Sequence, residues 1–199
     1  MKMMQSLAFL HQKGGTGKTT LAIASCIALA ASGARVLLLD IDPQGSASTW
    51  GDHYAERFGV VVRAQGPGPL DATLERFSRM FDWCILDCPP NLGETTLQTL
   101  NLVDRLLIPV RPAPPDIWAL ERIAALLADA QSRGLEIPHQ VVFNQWRDEA
   151  LEPLQAIINR LGLELADLPI RFDPAWPALF EGADLPESLN RQMMQLLTG

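Results

Sequence analysis

Ser6-Leu-Ala-Phe-Leu-His-Gln-Lys-Gly-Gly-Thr-Gly-Lys-Thr-Thr20 is the stretch on which the reading of this chain turns. An apolar run, Ser6 to Leu10, stops in a glycine loop, and helical periodicity begins at Lys18. Gly14, Gly15 and Gly17 let the backbone turn tightly and aim N–H groups at an anion, where the positive end of a helix dipole also points. Lys18 then reaches the β and γ phosphates of a bound nucleotide, and the Thr19 hydroxyl is placed for Mg²⁺. Thr16 and Thr20 complete the loop. The plain alternative, a glycine-rich strand-to-helix turn, does not call for Gly-Lys-Thr.

Outward from this loop, apolar runs alternate with helical segments. Strands are expected at Ser6–Leu10, Val36–Ile41, Val60–Arg63, Trp83–Leu86, Arg105–Val110 and Gln140–Phe143, and helices at Lys18–Ala31, Leu70–Met80, Glu94–Leu102, Asp116–Arg133 and Ala150–Leu161. Strand then helix, repeated, implies an α/β doubly wound, mostly parallel sheet with helices on both faces. Gly33 and Gly134 read as helix stops and Pro138 as the entry to a strand. The proline-rich Pro109-Val-Arg-Pro-Ala-Pro-Pro115 is expected to be a rigid connection, neither helix nor central strand.

At 199 residues the chain fits one domain, 1–199, with a continuous core. Sixteen basic against 23 acidic residues give a net charge of −7, which does not draw nucleic acid or anionic membrane over long range, so any such contact needs a local patch. Cys26, Cys84 and Cys88 have neither zinc nor disulfide spacing. Met1–Leu10 reads as a strand and not a leader, and no apolar stretch approaches the roughly 20 residues that cross a bilayer. A cytoplasmic location follows as an expectation.

Two further strand ends carry carboxylates. Leu39-Asp-Ile-Asp-Pro-Gln-Gly45 puts Asp40 and Asp42 two residues apart, pointing the same way, and a parallel sheet brings them near the glycine loop. The same Asp-x-Asp-Pro pattern also suits a helix-capping turn. Cys84-Ile-Leu-Asp-Cys-Pro-Pro-Asn-Leu-Gly93 is an apolar strand ending at Asp87, a second Mg²⁺ candidate with Thr19 and Asp40. Cys88 reads as a small buried apolar residue.

The expected first glycine of Gly-x-x-x-x-Gly-Lys-Thr falls on Gln12, while an extra lysine stands at Lys13. Lys13-Gly-Gly-Thr-Gly-Lys-Thr resembles the deviant Walker A motif of the ParA/MinD family of P-loop ATPases. The resemblance implies ATP and Mg²⁺ as cofactors and slow hydrolysis. It makes Lys13 a cation acting across a dimer interface on the partner's nucleotide, much as an arginine finger does, and gives Asp42 the task of positioning the attacking water. Pro-Pro-Asn-Leu-Gly93 is similar to the family's γ-phosphate-sensing segment, and Leu107–Asp116 to the proline-rich segment of small ParF-like members, associated there with subunit contact. Asn144 stands where relatives place an asparagine against adenine. Ile170-Arg-Phe172, Ala178 and Gly182 are similar to the late base-side loop.

The function implied is a ParA-type switch that dimerises with ATP, holds DNA non-specifically, positions plasmid, chromosome or another large cargo, and is reset by a ParB-like or cargo-adaptor partner. Nucleoid association and no membrane contact go with it. The glycine loop begins near residue 11, which leaves no room for a separate N-terminal DNA-binding domain. Every cation after Lys18 is an arginine; Arg147, Arg160, Arg171 and Arg191 are the candidates for phosphate contact, or else ion-pair partners of the more numerous acids. A MinD-like membrane ATPase predicts a basic amphipathic final helix, but Leu185–Gly199 has Arg191 as its lone cation and reads as packing on the domain. A metabolic ligase needs a substrate subdomain for which no insertion is evident. An iron–sulfur reductase needs two placed cysteines, and only Cys88 is near the site.

Overall fold

The structure, a computed structural model, describes residues 3–66, 69–91 and 99–198. Its strands are β1 (Gln5–Phe9), β2 (Val36–Asp40), β3 (Val60–Ala64), β4 (Trp83–Asp87), β5 (Arg105–Val110) and β6 (His139–Phe143). They form one six-stranded sheet in the order β3-β2-β4-β1-β5-β6, parallel at every pairing. The helices are α1 (Lys18–Ala31), α2 (Ser46–Phe58), α3 (Leu70–Phe77), α4 (Pro114–Trp118), α5 (Leu120–Ser132), α6 (Glu152–Arg160) and α7 (Glu187–Thr198), with a 3₁₀ turn at Pro177–Glu181. Glu94–Leu102, expected as a helix, lies partly outside the described residues.

Alternation along the strands sorts the core into two layers. Leu7, Phe9, Val36 and Leu38 pack on α1, α2 and α7. Ala8, Leu10, Leu37 and Leu39 point the other way, onto α3, α5 and α6. The sheet is therefore buried on both faces, which is why β2 reads Val-Leu-Leu-Leu without alternation. Helix α7 packs against α1 and buries Leu189, Met193, Leu196 and Leu197.

Three expectations need correction. Pro109 lies inside β5, an interior strand paired with β6 through Pro109 opposite Val142. Its nitrogen is on the β1 side, as the Leu107 carbonyl is, which accepts from the Leu10 N–H at 3.0 Å. Pairing of β1 with β5 ends at Leu107 because β1 leaves the sheet for the glycine loop, so the proline removes no ladder bond. Pro114 and Pro115 open α4, where the missing N–H costs nothing. The helix expected over Asp116–Arg133 is two helices parted at Ala119, whose carbonyl accepts from the Gln12 side chain at 2.6 Å. Helix α2 is an addition: none was expected between Val36–Ile41 and Val60–Arg63.

Candidate nucleotide site

The order reverses direction about β1, and the loop Leu10–Gly17 leaves the carboxyl end of that strand, the position where open α/β sheets hold ligands. Register brings the expected carboxylates to it. Asp40 pairs with Asp87 across β2 and β4, and Asp87 pairs with Phe9 across β4 and β1, so both acids sit level with the start of the loop. Gly17 caps α1 with φ +99°, and a Cβ there would run into the Asn144 amide. Glycine is thus required at this position by conformation and by space.

The two loop lysines differ in their surroundings. Lys18 is buried; its Nζ donates to the Lys13 carbonyl at 3.3 Å, and burial lowers its pKa against the pull of Asp87 and Asp42. Lys13 is half-exposed, and its Nζ is 2.8 Å from Oδ2 of Asp116, a carboxylate almost wholly buried at the start of α4. Arg111 holds the other oxygen of Asp116 through Nε at 2.9 Å. Burial opposes the Asp116 charge, but hydrogen bonds from Lys13 and Arg111 outweigh it and keep the carboxyl below its usual range. Behind the loop, His11 is fully buried and its pKa falls to about 4, mainly by desolvation and then by the charge of Lys18. Neutral, its Nδ1 accepts the Lys13 N–H at 2.9 Å and shapes the turn.

Asp87 is fully buried, and apart from the neighbouring Thr19 hydroxyl its oxygens have no hydrogen-bond partner among the described residues. Burial pushes its pKa up to about 7; the Thr19 hydroxyl and Lys18 pull it down without cancelling that effect, and Asp40 and Asp42 add to it. Orphaned buried carboxylate oxygens beside a hydroxyl and a phosphate loop fit a hard cation such as Mg²⁺. Among the described residues no three His, Cys, Asp or Glu side chains gather to cage a metal. A Mg²⁺ held by one carboxylate, a threonine and nucleotide phosphate meets that limit. Asp40 spends both oxygens on backbone: Oδ1 accepts the Asp42 N–H at 3.1 Å and Oδ2 the Ser48 N–H at 2.7 Å. It therefore caps α2 in this structure. Asp42 accepts the Gln44 N–H at 2.9 Å and is half-buried close enough to Lys18 to act on it.

On the other flank, Asn144 donates to the Thr16 carbonyl at 2.8 Å, tying the end of β6 to the glycine loop. Gly17, Thr20, Asn144, Phe172, Trp176 and Phe180 surround an open space of about 370 Å³ there. Sequence reasoning missed Trp176, Phe180, His11 and Asp116. Asp116 had a signal, a lone acid directly after Pro114-Pro115, where a helix begins.

Each of the four candidate arginines has a local partner. Arg171 pairs with Asp148 at 2.9 Å and lies over Trp146; Arg191 pairs with Glu187 at 2.9 Å. Arg147 lies over the Phe172 ring, and Arg160 donates to the Ala156 carbonyl in its own helix. Helix α7 presents its apolar side to the core, as expected, and no described helix is long and apolar enough to cross a membrane.

Residues 7–184 match the model of the CobQ/CobB/MinD/ParA nucleotide binding domain family. The chain belongs to this family. Its ParA/MinD relatives include the Maintenance of carboxysome distribution protein A of Halothiobacillus neapolitanus, 31% identical over 83% of this chain and 79% of that protein. The Chromosome-partitioning ATPase Soj of Thermus thermophilus is 34% identical over 63% of this chain and 61% of its own length. Among solved structures, the MinD of the MinC:MinD complex of Aquifex aeolicus superposes over 98% of this chain and 96% of that one, with a TM-score of 0.76 at 19% identity. Cobyrinic acid a,c-diamide synthase of Mycobacterium smegmatis, solved with ADP and magnesium, gives 0.76 at 21% identity over 98% and 94%. Those two likenesses establish the fold.

Proposed function

We propose that this ParA/MinD-family chain is an ATP-driven dimerisation switch that positions DNA or another large cargo, with hydrolysis timed by a partner protein. The observation that carries the reading is the division of labour between two lysines of one loop: Lys18 is buried beside Asp87 and Asp42, and Lys13 is at the surface, held by a side chain that ATP binding can compete with. Lys18 and the loop amides of Gly14, Gly15, Thr16 and Gly17 cradle the phosphates, with Thr20 beside them. Thr19 and Asp87, supported by Asp40, hold Mg²⁺, which when bound neutralises charge developing between the phosphates. Asp42, held by the turn to Gln44, orients the attacking water. Lys13 supplies its charge to the nucleotide of a second copy. Asn144 closes the base side.

A relative that positions carboxysomes and another that partitions chromosomes support the positioning role. Non-specific DNA is the proposed track. Its candidate contacts are Arg160 and Arg191, the latter in an exposed helical ion pair weak enough to yield to phosphate. Light scattering tests the switch. Wild type is expected to dimerise with Mg²⁺-ATP and not ADP, Asp42→Ala to accumulate as an ATP-bound dimer, and Lys13→Ala to bind ATP yet stay monomeric. A dimeric Lys13→Ala variant defeats the reading. For the track, retention of unrelated duplexes across a salt series must require ATP and fall steeply with salt.

A further inference from the structure

Strand β3 ends the sheet on one side and pairs with β2 alone. Each residue of a strand turns its N–H and C=O to one side, and the next residue turns them to the other. Gln65 N–H donates to the Asp40 carbonyl at 2.8 Å, so Val61, Arg63 and Gln65 address β2. Val60, Val62 and Ala64 therefore aim their backbone groups away from the sheet. The Val62 carbonyl agrees with this, because it accepts from the Arg63 guanidinium at 2.7 Å, where a further strand would bond. Exposure rises along the strand, from a buried Val60 to an exposed Arg63 and Ala64. Beside this edge runs an open groove of about 690 Å³ between β3 and the Gly51, Asp52, Ala55 and Glu56 side of α2. Val62 sits where a Cβ on Gly51 would fall, so the helix lies directly along the strand.

We propose that this edge docks an extended, basic segment of a partner protein, which joins the sheet next to β3. Bare strand edges template pairing, and proteins that do not use them blunt them. Charge selects the occupant. Asp52 and Glu56 stand one turn apart on α2, both exposed, with no ion-pair partner among the described residues. Alternate side chains of an added strand rise on the α2 face, so cations at every second position meet these acids. A second copy paired edge to edge about a two-fold axis would set both α2 helices on one face and bring like acids together, on chains of net charge −7. Main-chain bonds to Val62 and Ala64 supply affinity, and Arg63 yields the Val62 carbonyl to them. Docking needs no nucleotide, yet the seat adjoins the site: Ala64 pairs with Asp40, which caps α2.

The test is a titration of the ¹⁵N-labelled, nucleotide-free chain with an acetylated and amidated Lys-Val-Lys-Val-Lys-Val-Lys peptide. Its Glu-Val counterpart and a fully N-methylated copy, which keeps the charges and cannot donate, are the controls. The lysine peptide is expected to bind saturably and shift the Val60, Val62 and Ala64 amides, with both controls at least about tenfold weaker. The double variant Asp52→Asn, Glu56→Gln is expected to lose about fivefold at an unchanged melting temperature. Ala64→Pro removes an edge N–H and no bond to β2, and is expected to lose about as much. Should that proline lower the melting temperature, the double variant decides. Unmoved β3 amides at about 1 mM lysine peptide overturn the proposal, and so does equal binding by either control. Concentration-dependent shifts of the same amides in the free chain, with dimers in light scattering, assign the edge to a second copy and overturn it too.

Discussion

Lys13 stands within reach of two anions, one in its own chain and one that a dimer would bring. Asp116 now holds it at 2.8 Å, and Arg111 shares the same carboxylate, so removing Lys13 leaves Asp116 still neutralised. Asp116→Asn is therefore expected to free Lys13 and lower the ATP concentration that half-saturates dimerisation, by about two- to fivefold for a half-exposed pair worth under 1 kcal/mol. A higher midpoint by light scattering shows instead that Asp116 aims the lysine. Lys18→Ala is expected to weaken ATP by roughly a hundredfold in calorimetry, the value of a charged hydrogen bond to phosphate in a buried setting. Two other residues set opposing pH slopes in the metal-free, nucleotide-free chain. Asp87 has a native pKa of about 7 against 3.8 ordinarily, so the unfolded state releases its proton first and stability falls as pH rises from about 4 to 7. His11 has a native pKa of about 4 against 6.5, so stability falls as pH drops through that window. Asp87→Asn is expected to raise the urea midpoint at pH 7.5 and expose the unopposed His11 slope below pH 6.5, each effect on the order of a few kcal/mol. The phosphate loop and the strand ends at Asp40 and Asp87 were legible in the sequence because a glycine run between strand and helix, and apolar runs that stop at an acid, mark them, whereas the capping use of Asp40 was one of two readings its spacing left open. The partners of Lys13 were not legible, since Asp116 lies 103 residues away and only the β5–α4 path joins them.

Helix α2 connects the two ends of the site. Its first turn is capped by Asp40, and farther along Trp50 Nε1–H donates to the Leu179 carbonyl at 2.9 Å. Near its end Arg57 bonds the Gly182 carbonyl and pairs with Asp184, and Tyr54 lies where a Cβ on Gly182 would fall. Asp40 and the turn that carries Trp176 and Phe180 thus hang on one helix. Trp50→Phe is expected to cost about 1–3 kcal/mol through the orphaned carbonyl and to weaken ATP severalfold while sparing tripolyphosphate; thermal melts and calorimetry check both parts. In Ser46-Ala-Ser-Thr-Trp-Gly-Asp-His-Tyr-Ala-Glu-Arg-Phe58 the residues Ala47, Trp50, Tyr54, Ala55 and Phe58 fall at helical spacing ahead of Gly59, a signal that the expected elements left out. The helix buries Ala47, Trp50 and Ala55 with Tyr54 and Phe58 packed beside them, and Gly51 sits mid-helix because Val62 leaves no room for a side chain. Strands were read more securely: each lies within a residue of its expected ends because burial on both faces writes continuous apolar runs. Pro109 misled because a proline's fit in a sheet depends on which neighbour has already departed.

For the whole molecule, charge and packing pull in different directions. Two copies each at −7 repel at long range, so dimerisation is expected to hold or strengthen between about 50 and 200 mM salt, whereas DNA retention falls over the same range. One salt titration read by light scattering and by mobility shift separates the two. Inside, the layer formed by α1, α2 and α7 has Met193 fully buried, and Met193→Ala is expected to cost about 2–5 kcal/mol and lower the melting temperature by several degrees. That layer also orders events during synthesis. Helix α1 carries Lys18 and Thr19, and the partner that covers its flank, α7, is encoded some 160 residues later. A ribosome emitting roughly 5–20 residues per second leaves that flank of α1 uncovered for about ten seconds or more. Throughout that interval the flank of α1 that meets Leu189, Met193, Leu196 and Leu197 stays open to water, so a chain stopped before α7 is expected to hold its phosphate-loop helix in an incomplete layer.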